Sequence, residues 1–167
     1  QQFQRAEPLL DSALQDHGDD PKVLFGLGAL RFIQNQTEQA IELFRKVIEI
    51  EPDNVSALNN LAVLLSESPE TRDEALDMID RALDIVGQRP TYLDTKATIL
   101  LLAGQNEAAA DLLETVVAGP DENPVYQLHL AVAYARSGRN EEARQTLAQS
   151  LAEGVQGHPR LRPHPHL

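Results

Sequence analysis

The chain contains no cysteine and no tryptophan, and only 4% of its 167 residues are aromatic. Without cysteine, a disulfide framework, a thiolate metal site and a cysteine nucleophile are all excluded. Basic residues are also scarce: 14 Lys and Arg stand against 26 Asp and Glu, which gives a net charge of −12. This balance argues against nucleic-acid binding, which requires a basic surface. No uninterrupted apolar stretch approaches the roughly 20 residues of a membrane-spanning helix. We therefore expect a soluble, acidic, folded protein.

What the chain does contain is an internal repeat of about 34 residues. Small residues recur at spacings of 34, 35, 34 and 34, at Ala6, Ala40, Ala75, Ala109 and Ala143. Three further columns follow the same period: Gly28, Ala62, Ala97 and Ala131; Leu10, Phe44, Ile79, Leu113 and Leu147; and Pro21, Val55, Pro90 and Pro124. All of these columns place the one extra residue in the same repeat. A shared period of this length predicts a repeat architecture.

Each repeat is predicted to form two helices. Leu24, Leu27 and Gly28 share the i, i+3, i+4 spacing of one helix face. First helices are predicted near 21–34, 55–66, 90–103 and 124–137, second helices near 38–50, 72–86, 106–118 and 140–152, and a lone helix near 3–16.

Helix ends are marked by their own residue types. Asp20 and Asn123 each precede a proline, which is typical of an N-cap followed by the first helical residue. Thr71 with Glu74 predicts a capping box. Gly104 and Gly138 fall between the two helices of their repeats, where a left-handed residue ends a helix.

The pattern resembles the tetratricopeptide repeat. The resemblance is carried by Leu-x-x-Leu-Gly/Ala at 24–28 and 58–62, by Ala-x-x-x-Phe-x-x-Val at 40–47, and by Pro52. It implies an all-α solenoid of antiparallel helix pairs in a right-handed superhelix, with half a repeat followed by four. The solenoid is expected over 1–153, with repeats near 1–20 (partial), 21–54, 55–89, 90–123 and 124–153. A Pro- and His-rich tail follows at 154–167.

The resemblance also implies where a partner binds, because first helices line the concave surface in this family. The residues expected on that groove are Lys22, Phe25, Ala29, Asn59, Asn60, Val63, Asp94, Thr95, Thr98, Leu128, His129 and Val132. For Phe25 an equally weighted interpretation is packing against the preceding half repeat. Some family members bind acidic chain ends through a clamp of lysine, arginine and asparagine side chains. The same face of this chain offers Lys22 and Asn60 but also the acidic Asp94, so the clamp is missing.

No catalytic motif is present. The sequence contains no Gly-x-Ser-x-Gly, no glycine-rich phosphate loop and no His-Glu-x-x-His. The acidic residues are spread over predicted helix surfaces, so a solvated face explains them. His158, His164 and His166 alternate with prolines, but a metal site also needs further ligands held in fixed geometry. We expect no enzyme activity, no cofactor and no metal site.

The leading hypothesis is a non-catalytic scaffold that binds a protein or an extended peptide, neutral to basic in charge. Two alternatives stay open. One is an accessory domain of a larger enzyme or assembly machine with parts that precede residue 1, as the opening half repeat suggests. The other is a self-associating repeat module. The sequence decides neither the partner nor the compartment, since both cytoplasm and periplasm fit.

The tail has its own two interpretations. Three prolines prevent it from continuing the last helix, and Arg160 and Arg162 make it basic. One interpretation is that it lies against a repeat surface of its own or a neighbouring molecule, in the way a partner would bind. The other is that it packs on the last helix as a cap over Leu147 and Leu151.

Overall fold

The computed structural model describes residues 12, 18–121 and 123–152, and every regular element within them is helical. The chain divides into two units, Gln1–Gln88 and Arg89–Leu167. The predicted lone helix near 3–16 and the tail at 154–167 lie outside the described residues.

Unit 1 contains four α-helices and one short 3-10 turn among its described residues. They are α1 (Pro21–Ile33), α2 (Thr37–Ile50), α3 (Val55–Ser66), the 3-10 turn (Pro69–Thr71) and α4 (Arg72–Val86). α1 packs against α2, α2 against α3, and α3 against α4. The 3-10 turn lies between α3 and α4, in the repeat that contains the extra residue.

Unit 2 repeats this arrangement. Its described helices are α5 (Pro90–Leu102), α6 (Asn106–Val117), α7 (Pro124–Arg136) and α8 (Asn140–Ala152). α5 packs against α6, α6 against α7, and α7 against α8. The predicted ends of these eight helices agree with the observed ends to within one residue, because proline, cap and turn residues mark nearly all of them.

Side-chain caps begin several helices. The Lys22 backbone N–H donates to Asp20 Oδ1 at 2.8 Å, and that of Val125 donates to Asn123 Oδ1 at 3.1 Å. Asn54, which sequence reasoning missed as a cap, accepts from the backbone N–H of Ala57. Each cap satisfies a donor that the first turn of a helix leaves unpaired.

The predicted capping box at Thr71 is wrong. The Thr71 side chain makes no cap hydrogen bond to α4. Its hydroxyl instead donates to the Leu65 carbonyl at 2.5 Å and joins the longer connection back to the end of α3. The extra residue in this repeat therefore gives the hydroxyl a different acceptor.

Left-handed residues close the turns between first and second helices. Gly104 and Gly138 have φ values of 76° and 84°, as predicted. Asn35 takes the same position in the first described repeat with φ 57°. Asparagine tolerates this conformation better than other non-glycine residues, so the turn forms without glycine.

The small-residue columns lie in the interior of the helix pairs. Ala40, Ala75 and Ala109 are fully buried. In unit 1, a Cβ added at Gly28 would lie only 3.0 Å from Phe44 Cε1. Gly28 is therefore small because the Phe44 ring fills the adjacent space. In the other three repeats, the Gly28 column holds alanine and the Phe44 column holds the smaller residues Ile79, Leu113 and Leu147.

A polar cluster joins three helices of unit 2. The Arg139 guanidinium contacts Glu142 at 2.6 Å and Glu114 at 3.1 Å, and lies 4.2 Å from the Tyr134 ring centre. The Tyr134 hydroxyl donates to Glu114 at 3.0 Å. Burial, followed by the hydrogen bond to Glu114, raises the pKa of Tyr134 above its ordinary value. The hydrogen bond to Arg139 lowers the pKa of Glu142.

Ser150 also ties unit 2 together. Serine stands here where the other repeats carry Val47, Ala82 or Val116. Ser150 is nevertheless buried, at 1% exposure, and its hydroxyl donates to the Pro124 carbonyl at 3.0 Å. The serine thus satisfies a backbone acceptor at the beginning of α7.

The contact between Gly28 and Phe44 predicts a coupled pair of substitutions. Gly28→Ala should destabilise the protein by about 1–3 kcal/mol, because the added methyl overpacks against a buried ring. In a Phe44→Leu background the same change should be neutral or stabilising, since alanine favours helix over glycine by about 1 kcal/mol. Urea unfolding of the four proteins measures the coupling, and equal effects of Gly28→Ala in both backgrounds would contradict it.

The raised pKa of Tyr134 predicts an alkaline loss of stability. An acid with a pKa raised by folding contributes stability below its unfolded pKa of about 10, and that contribution is lost as pH rises through the folded pKa. Tyr134→Phe should lower stability by about 1 kcal/mol at pH 7 by removing a hydrogen bond. It should also flatten the decline above about pH 10.

Urea unfolding at a series of pH values tests this expectation. Tyr92 and Tyr126 are present in both proteins, so the difference between the two curves isolates Tyr134. Parallel curves from neutral to alkaline pH would show that Tyr134 does not ionise later in the folded state.

Candidate functional site

The predicted groove residues of unit 1 lie on α1 and α3. Lys22 is exposed, and the other members are partly exposed: Phe25, Ala29, Asn59, Asn60 and Val63. A shallow pocket of about 220 Å³ contains Lys22 and Phe25 together with Ser56, which follows one repeat after Lys22. Packing of the helix pairs leaves these side chains partly accessible, and their role in binding stays a prediction.

Phe25 has a structural role within its own repeat. Its ring lies 5.5 Å from the ring of Phe44, with the two planes at 57°. This is the tilted geometry that aromatic pairs prefer. The sequence had weighed groove contact against packing on the preceding half repeat, but the partner here is α2 of the same repeat. Phe25 thus both packs on the core through Phe44 and lines the pocket.

Asn59 carries an unpaired acceptor. Its Oδ1 atom is buried and has no hydrogen-bond partner among the described residues. An unsatisfied buried polar atom costs about 1–3 kcal/mol. Such atoms are uncommon in folded proteins and call for a functional or structural reason. The neighbouring Asn60 is partly exposed and belongs to the same side of α3 as Val63.

In unit 2 the structure brings two predicted residues into direct contact. His129 Nδ1 on α7 lies 2.6 Å from Asp94 Oδ1 on α5. The carboxylate accepts, so Nδ1 must carry the proton. The other ring nitrogen, Nε2, then accepts a hydrogen bond when the ring is neutral and donates one when it is charged. The imidazole is 29% exposed, so the pair presents an oriented polar group on the first-helix side.

Thr95 and Thr98 contribute less than predicted. The Thr95 hydroxyl donates to the Thr91 carbonyl at 3.2 Å, and the Thr98 hydroxyl donates to the Asp94 carbonyl at 3.0 Å. Both protons are therefore used within α5. Each hydroxyl oxygen still has lone pairs with which to accept from a ligand.

Leu128 and Val132 belong to a different surface. They line a groove of about 330 Å³ between α7 and α8, which also includes Leu147 and Arg144. Sequence reasoning considered first helices alone and missed the contribution of α8. A signal was present, because Arg144 stands where earlier repeats have Ile41, Leu76 and Ala110.

The described residues contain no group of three or more His, Asp or Glu side chains arranged to hold a metal ion. None of the described helices is long and apolar enough to cross a membrane. The histidines of the tail lie outside these residues, so their predicted lack of a metal role stays a prediction.

Comparison with known proteins agrees with this geometry. The chain is 27% identical over 148 residues to the CTR9 homolog of Arabidopsis thaliana, which covers 84% of the chain and 14% of that protein. It is 27% identical over 103 residues to the BBSome complex member BBS4 of Bos taurus, which covers 62% and 18%. The chain thus spans less than a fifth of the length of these relatives.

Among solved structures, a tetratricopeptide repeat protein from Parabacteroides merdae superposes with a TM-score of 0.83 at 17% identity. The match covers 91% of this chain and 59% of that one. Two family models, described as "TPR repeat" and "Tetratricopeptide repeat", match residues 28–67 and 100–162. The helix pairs of the structure repeat with the same period. The chain therefore belongs to the tetratricopeptide-repeat family.

Proposed function

We propose that this protein is a non-catalytic scaffold that binds a protein or an extended peptide on the concave face lined by its first helices. The observation that carries the proposal is that packing leaves side chains on the first helices of both units partly exposed, such as Phe25 and Asn60 in unit 1 and His129 in unit 2. Packing of the helix pairs uses the leucine and small-residue columns and leaves these columns unused. The amide and imidazole groups there can donate to and accept from an extended backbone.

The chemistry of the two units favours a neutral to basic partner. Unit 1 offers the Asn59 and Asn60 amides, which pair with the alternating donors and acceptors of an extended backbone. Unit 2 offers Asp94 with His129, and the carboxylate there favours positive charge. The net charge of −12 also attracts positively charged partners at long range, which accelerates encounter with a basic segment.

The accessory-domain alternative is favoured by one finding. The relatives that the chain matches are several times longer than the chain, and one is named as a member of a complex. We therefore also propose that binding by this chain serves a larger assembly. The absence of enzyme activity in the chain remains a prediction in both cases.

The first-helix surface is tested by substitutions that keep the fold. Asn60→Arg and His129→Arg place one bulky positive group on α3 and one on α7. Gln39→Arg and Gln149→Arg make a matched change at exposed positions of second helices. The groove pair should reduce capture of the bound proteins by about tenfold or more, which is about 1.4 kcal/mol. The control pair should leave capture unchanged.

The measurement is a pull-down from cells that make the protein, quantified by mass spectrometry, with circular dichroism to verify helicity and melting. Equal capture by the groove pair and the wild type would show that binding uses another surface. Loss with both pairs would show that charge alone, and not the first-helix side, controls binding.

A further inference from the structure

The end of unit 2 exposes a surface that is covered in the earlier repeats. Leu147 on α8 is 40% exposed, whereas Phe44 and Leu113 in the same column are fully buried. Phe44 lies on α2, which packs against the next first helix, α3, and Leu113 lies on α6, which packs against α7. The side chain at this position is thus built to pack against a following first helix.

The same comparison holds for the rest of this surface. The groove between α7 and α8 has a volume of about 330 Å³ and is lined mainly by apolar side chains, including Leu128, Val132 and Ala135. Leu151, one turn beyond Leu147, is 53% exposed. An apolar surface of this kind calls for an occupant, because repeat arrays cover the apolar face at each end.

The repeat register identifies a candidate in the chain itself. Counting 34 residues on from Gln127 reaches Leu161, and the first-helix positions of that column are all buried: Leu24, Leu58, Leu93 and Gln127. Counting 34 residues on from the cap Asn123 reaches Gly157, and glycine is accepted at N-cap positions. His158 and Pro159 then fall where a first helix begins, a place that tolerates proline.

An independent finding supports this register. The family model that matches the second half of the chain ends at residue 162, ten residues beyond the last residue of α8. Beyond that point Pro163 and Pro165 follow, and Pro165 would occupy the small-residue column of Gly28 and Ala131. Proline inside a helix removes a hydrogen bond and clashes with the preceding turn. The repeat pattern therefore continues for about one helical turn and stops.

We propose that residues 157–162 dock on the groove between α7 and α8 as the first turn of a fifth first helix, with Leu161 as the buried anchor. This inference is independent of partner binding on the first-helix side. Of the two interpretations of the tail that the sequence left open, the proposal favours the cap over the stand-in for a partner. Arg160 and Arg162 flank the anchor, and the side chain of Arg144 is 82% exposed, where water and salt screen the like charges.

The absence of cysteine makes the proposal directly testable, since an introduced pair has no competitor. Ala135→Cys places a thiol on the exposed rim of the groove, and Arg162→Cys places one beside Leu161 without removing it. Asp111→Cys, exposed on α6 and outside the groove, with Arg162→Cys is the matched control. A short bismaleimide should crosslink the first pair roughly tenfold faster than the control, because docking raises the local concentration of the two thiols.

Two further changes in the full-length Ala135→Cys/Arg162→Cys protein test the register. Leu161→Asp should slow the crosslink to the control rate. Val155→Asp is the matched change at a column of exposed turn residues (Gly18, Pro52, Gly87 and Asp121), and it should have no effect.

Denaturing gels separate the outcomes. A crosslinked monomer that depends on Leu161 supports the proposal. A crosslinked dimer would identify a second copy as the occupant and overturn it. Equal crosslinking rates for the Ala135→Cys/Arg162→Cys pair and the Asp111→Cys/Arg162→Cys control would also overturn it. A crosslinking rate that Leu161→Asp does not change would do the same. None of these results bears on the Asn60 and His129 surface, so failure here is distinguishable from failure of the scaffold function.

Discussion

The close approach of the two helices within each repeat is the constraint on which the other features depend. Two helix backbones approach closely only where the side chains between them are small, and the columns of Gly28 and Ala40 supply those side chains. Large residues such as Phe44 then occupy the space beside the crossing. At Gly28 the fit to the Phe44 ring leaves 3.0 Å for an added methyl carbon, so the pair is matched residue by residue. The stacking of successive pairs follows, because neither pair buries its apolar face alone.

This separation of roles explains why side chains on the first helices stay accessible in so tightly packed a chain. A first helix uses its leucine and small-residue columns for packing, and its remaining columns carry no such duty. Asn59 with its unpaired oxygen and the Asp94–His129 pair occupy those columns in the two units. Their identities vary between repeats while the packing columns stay nearly constant. A scaffold of this kind can change its partner without a change of fold, and for that reason the fold alone does not name the partner.

The sequence predicted the helices well because the signals were periodic or local. Leucine spacing, the caps at Asp20 and Asn123, and Gly104 at a left-handed turn each act within a few residues. The sequence did not predict hydrogen bonds to acceptors outside the side chain's own helix: Thr71 donates to Leu65 on α3, and Ser150 donates to Pro124, 26 residues away. The cluster around Arg139 was missed for the same reason, since Glu114 lies on another helix. Within the candidate site, the column positions were predictable, but the partnership of Asp94 with His129 and the packing of Phe25 on Phe44 were not.

Leu113 and Leu147 show that the exposure of a side chain in a repeat protein depends on whether a following helix packs on it, and not on the residue type alone. Both are leucines in one column, at the same position of a second helix, yet one is fully buried and the other is 40% exposed. The difference is α7, which packs on the helix that carries Leu113. Arg144 in place of Ala110 makes the rim of the last surface more polar, but it leaves the apolar floor intact. A long charged side chain covers apolar surface with its stem while its head stays in water. The last repeat therefore keeps the receiving surface of an inner repeat with an altered edge, which suits a short docking segment better than a full thirteen-residue helix.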